Sequence, residues 1–103
     1  MTPPQSPDIV RSTAEFLAGL QQIERAIIAE LRGRSIQITA DSFSWNRGNE
    51  LVPPPDAITL EIKFQGKSAN AVLSREQVED SHAGIVRADV VTMVNALVRN
   101  LSS

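Results

Sequence analysis

The chain has 103 residues and a mass of 11.2 kDa, which leaves room for one domain. With 42% hydrophobic and 21% charged residues, it is neither a disordered chain, a collagen-like chain nor a coiled-coil rod. Ten basic against twelve acidic residues argue against a nucleic-acid surface, and the lack of Cys excludes disulfides, thiolate metal sites and thiol nucleophiles.

Residues 1–7 hold three Pro and are expected to fray, leaving a single domain over 8–103. No basic stretch leads into an apolar one at the N-terminus, and no apolar run approaches the roughly 18 residues of a membrane span. The expectation is a cytoplasmic protein with no membrane partner.

Two helix starts compete. Ser6 followed by Pro7 is one, and Ser12-Thr13-Ala14-Glu15, with capping-box spacing, is the other; Ile9 and Val10 favour the earlier. The helix then runs to about Arg32, its apolar stripe formed by Phe16, Leu17, Leu20, Ile23, Ile27 and Leu31 and widened by Ile28. Gly33 is the expected stop. Gly19, inside the helix, costs about 1 kcal/mol relative to Ala; it is either tolerated or marks the close approach of another backbone.

Residues 35–46 read as a strand, with Ile36, Ile38 and Ala40 alternating with polar neighbours. Phe43 and Trp45 then break the parity. Either a bulge sits near Asp41-Ser42 or the two aromatic side chains point away from the core. A long loop follows over 46–56, stiffened by Pro53, Pro54 and Pro55.

Ile58, Leu60, Ile62 and Phe64 alternate with polar residues and define a strand with one dry face. Gly66-Lys67 reads as a two-residue type II′ turn, which sets Phe64 opposite Ala69, Ile62 opposite Ala71 and Leu60 opposite Leu73. Ser74 and Gln77 have capping-box spacing, so a helical turn anchored by Val78 should reach about Asp80. The last helix covers about Arg87 to Leu101, with a stripe of Val90, Val91, Val94, Leu97, Val98 and Leu101. The predicted fold is α+β in the order α-β-β-β-(short α)-α, a three-stranded antiparallel sheet with two long helices on one face. Its other face, carrying Glu61, Lys63, Asn70 and Val72, is left uncovered, and the sheet has two edges.

The only His, His82, follows Glu76 and Asp80, so a metal or enzymatic site in that region is one reading. A solvated acidic turn is the other, since catalytic zinc sites draw on two or three His. Ser81 adjoins His82, but no nucleophile elbow and no Gly-rich phosphate loop is present. The expectation is a chain without catalytic residues, cofactor or metal. The order α-β-β-β-α resembles that of double-stranded-RNA-binding domains. That resemblance implies basic residues at the start of the last helix and in the first inter-strand loop. Here the helix start offers Arg87 beside Asp89, and the loop offers Arg47 with Glu50 and Asp56.

Phe43, Trp45, Arg47, Leu51, Val52 and Pro54 form the sequence's best partner-binding stretch. Trp and Arg favour interfaces, and prolines reduce the entropy lost on docking. Two long amphipathic helices over a short sheet should also leave apolar surface to spare, which favours a homodimer or a subunit docked on another protein. In size and charge the chain is similar to small acidic adaptors and secretion chaperones.

Overall fold

The computed structural model describes the backbone of residues 7–103 and the side chains from residue 11 onward. The expected tail over 1–7 therefore lies outside the described residues except for Pro7, which is already helical. Helix α1 spans Pro7–Arg32, so the earlier start holds, and Ser12 to Glu15 lie inside the helix rather than capping it. It ends at Arg32, directly before Gly33, as expected, but the closure itself falls two residues further on. The left-handed residue is Ser35 (φ 63°), not Gly33. The Ile36 N–H donates to the Leu31 carbonyl at 2.9 Å and the Ser35 N–H to that of Arg32 at 3.0 Å, a Schellman closure with Ile36 packed on the core behind it.

The strand predicted for 35–46 is much shorter. Strand β1 is only Phe43–Trp45. Ile36 to Thr39 run outside the sheet, with Ile38 buried, and a 3-10 turn occupies Ala40–Ser42. This turn, where a bulge was one option, absorbs the change of parity. Phe43 pairs with Ile62 and Trp45 with Leu60, so both aromatic side chains face the core and pack against it half-buried.

Strands β2 (Ala57–Phe64) and β3 (Lys67–Ser74) form the predicted hairpin, with β2 at the centre of an antiparallel β1-β2-β3 sheet. The turn is Gln65-Gly66 rather than Gly66-Lys67. Both residues have positive φ (48° and 78°), which makes it type I′. The register consequently pairs Ile62 with Ala69, Leu60 with Ala71 and Ile58 with Leu73. The shift from the expected pairing is two residues, an even number, so every apolar side chain keeps its face. Types I′ and II′ both match the twist of the strands; the I′ register pairs all of Ala57–Phe64 with β3, where the expected one would leave Ala57 and Ile58 without strand partners, and it does so despite placing Gln65 in the left-handed region.

Helix α2 (Arg75–Glu79) starts at the predicted capping box: the Gln77 N–H donates to the Ser74 hydroxyl, and the Ser74 N–H to the Gln77 side chain. Val78 is fully buried. Helix α3 (Ala88–Ser102) packs on β3 and on α1, while α1 also packs on α2. One core cluster joins Phe16, Leu20, Ile23, Ile27 and Leu31 of α1, the inward residues of the sheet, Val78, and Val90, Val94, Leu97, Val98 and Leu101 of α3. Each predicted helical stripe loses one member to solvent, Leu17 and Val91. The helices therefore spend nearly all of their apolar stripe on the core, and the surplus expected for an interface is small.

Candidate functional site

The surface gathered around β1 is built from the core outward. The Trp45 indole lies on the core side of β1, and its Nε1–H donates to Glu24 Oε1 on α1 at 2.7 Å. This fixes the point where the chain leaves the sheet. Asn46, Arg47 and Gly48 then all have positive φ (53°, 54° and 81°), a single left-handed turn. The Asn49 N–H donates to the Asn46 carbonyl and the Asn46 side-chain amide to the Glu50 carbonyl, both at 2.9 Å, so the turn is tied down at both ends. Two non-glycine residues in the left-handed region cost energy that this bonding and the Trp45 anchor offset.

The turn presents Arg47, exposed and without an ion pair among the described residues, at a depression of about 340 Å³ shared with Ser44, Thr59 and Glu61. That depression lies on the uncovered face of the sheet. Downstream, Leu51 packs half-buried on the core, Val52 is 53% exposed, and Pro54 is half-buried. Of the six residues singled out in the sequence, Phe43, Trp45 and Leu51 anchor the loop, Arg47 and Val52 are displayed, and Pro54 stiffens it.

Glu76, Asp80 and His82 are not brought together. Glu76 lines an open depression of about 440 Å³ with Asp56, Ser74, Arg75 and Glu79. Arg75 lies within 3.6 Å of Asp56 and 3.8 Å of Glu79, which places a cation amid the carboxylates. Asp80 turns instead to Arg87 at 2.8 Å. His82 is exposed, its Nδ1 2.9 Å from the Glu79 carbonyl oxygen. The Ser81 hydroxyl is buried and donates to the Gln77 carbonyl at 2.9 Å, so it does not face His82. Among the described residues no group of three His, Cys, Asp or Glu is placed to hold a metal ion.

Arg87 is the most heavily engaged side chain. Its two terminal nitrogens donate to Asp80 and Asp89 at 2.8 Å each, and Nε donates to Asp89 at 3.0 Å. These hydrogen bonds raise its pKa. In return the Arg87 bond, helped by one from Gln77, lowers Asp89 from an ordinary 3.8 to about 2. Asp89 Oδ1 also accepts from the Val90 N–H at 2.8 Å in the first turn of α3. The one basic residue at the start of the last helix is thus held between two carboxylates, where an RNA-binding domain would offer it to phosphate.

One feature had no clear signal in the sequence. A groove of about 350 Å³ lies between the end of α1 and the extended segment, lined by Ile28, Arg32, Ile36, Gln37, Ile38 and Thr39. It depends on Ile36 to Thr39 staying out of the sheet, which strand periodicity does not reveal. The open face and free edges expected from the sequence are present: β3 lies at the sheet edge, and Val72 on its outer face is 70% exposed. Compared with known proteins, the chain matches no family model, no curated protein and no solved structure. No helix among the described residues is long and apolar enough to cross a membrane.

Proposed function

We propose that the chain is a non-catalytic cytoplasmic subunit that acts through protein–protein contacts, as an adaptor or chaperone-like module. The observation that carries this reading is the preorganised loop after β1. Its left-handed turn is held by main-chain and Asn46 hydrogen bonds, and it displays Arg47 and Val52 beside a sheet face that no other described element covers. A hydrogen-bonded turn bearing a guanidinium without an ion pair among the described residues loses little entropy on docking, and the exposed Val52 adds apolar surface beside it.

The test is site-specific photo-crosslinking in the native cell, with the reactive group at position 52 and a control at the exposed Glu30. Position 52 should yield a discrete adduct that the control does not, and Arg47→Glu should abolish it. Equal labelling at both positions, or an adduct indifferent to Arg47→Glu, overturns the reading.

A further inference from the structure

We propose that the free edge of β3 pairs antiparallel with the same edge of a second copy, joining two three-stranded sheets into one of six strands. This rests on the reading that the chain works through protein contacts, and it names the partner of one surface. Strand β3 is an edge strand, paired to β2 without a bulge over all of Lys67–Ser74. The two-residue turn makes Phe64 and Lys67 a hydrogen-bonded pair, so Lys67, Ala69, Ala71 and Leu73 direct their main-chain groups at β2. Ser68, Asn70, Val72 and Ser74 direct theirs outward. The Ser74 N–H is taken by the Gln77 side chain at 2.8 Å. The N–H and C=O groups of Ser68, Asn70 and Val72 bond to no other described residue.

Open edges of this length are normally blunted by charge, proline or a bulge. Between Lys67 and Arg75 the strand Ser68-Ala69-Asn70-Ala71-Val72-Leu73-Ser74 has none of these. The outward set is symmetric about Asn70, which selects one two-fold register: Asn70 opposite Asn70 of the second copy, and Ser68 opposite Val72. That register uses every free outward group in about six main-chain hydrogen bonds. On the outer face the two Asn70 amides, each both donor and acceptor, lie side by side, and each exposed Val72 gains a neighbour. On the inner face Ala69 lies beside Ala71 of the copy, small side chains that let the edges approach. No charged side chain opposes another, so the strand is complementary to itself; that self-complementarity singles out a second copy as the occupant.

The full chain is examined by sedimentation equilibrium from micromolar to millimolar concentration, alongside amide hydrogen exchange. The mass should rise from 11.2 kDa toward twice that value. The amides of Ser68, Asn70 and Val72 should exchange more slowly as it does. Asn70→Pro removes an outward N–H and leaves the β2 ladder intact, as proline is tolerated at that position of an edge strand. It should weaken association about tenfold or more while the far-UV spectrum is unchanged. If that variant does not fold, Val72→Lys serves in its place. A monomer at every concentration overturns the proposal. So does a dimer whose three edge amides stay unprotected, or one that Asn70→Pro or Val72→Lys leaves intact. These outcomes leave the crosslinking at Val52 unaffected, so the two readings fail separately.

Discussion

Gly19 is the residue on which the arrangement of α1 and α2 most depends. A Cβ there would sit 1.8 Å from the Val78 carbonyl oxygen and 2.7 Å from its carbon, both backbone atoms that no rotamer change can move. The helix-propensity loss of glycine is therefore offset by a contact that any other residue forbids. Gly19→Ala should destabilise the fold by about 3 kcal/mol or more, read as a lower urea midpoint at unchanged slope. A neutral or stabilising result would mean that α2 does not rest on α1. Asp89 makes a second prediction at this scale. Folding lowers its pKa from 3.8 to about 2, so its stabilisation is complete only above about pH 5 and is lost as pH falls through 2. The melting temperature should drop across that window, and Asp89→Asn should flatten the drop; an unaltered profile would show that the Arg87 bonds contribute nothing.

The elements show where a pattern of residue types suffices and where it stops. Both long helices and the hairpin were readable because one-sided burial imposes a period of 3.6 or 2 on the apolar residues. The faces of β2 and β3 followed from that alone. Their register did not, because pairings two residues apart place the same side chains on the same face, and only the turn separates them. Gln65 occupies a position that type I′ turns usually fill with Asn. Gln65→Asn should stabilise the protein by about 0.5 kcal/mol in urea denaturation, through lower strain at φ 48°. A loss of stability would argue for the Gly66-Lys67 turn instead. The stretch 35–46 misled for a different reason. Ile36 and Ile38 alternate because they fill the core beside α1, and burial on one side gives the same pattern with or without a ladder. Of the candidate site, the loop and its residue types were legible. The left-handed turn that displays Arg47 was not: Asn46 and Gly48 are residue types that favour positive φ, but the Arg47 between them is not, and nothing in its side chain marks the conformation it takes.

Taken whole, the molecule is a one-sided structure. Every buried apolar residue among those described belongs to a single cluster between the sheet and the helices, and no described element covers the opposite face of the sheet. A single cluster should unfold as a unit. Trp45, the only tryptophan, reports on the junction of β1 with α1, while far-UV circular dichroism reports on the helices. Their urea transitions should coincide. Separate midpoints would divide the core into two units, with β1 on the weaker.

The short turn over 40–42 has a bearing on how such a chain tolerates insertion and deletion. The two connections flanking β1 are not equivalent. The segment 46–56 leads into a strand whose facing is dictated by its own hairpin, so residues can be added there in odd or even number without inverting anything. The three residues before Phe43 behave as a counter with two settings. Losing one would roll Trp45 to the far side of the sheet, away from Glu24, and strand both rings in water. As far as the facing of the strands decides, length variation should therefore be purged before Phe43 and tolerated after Trp45 only beyond the hydrogen-bonded turn over 46–50.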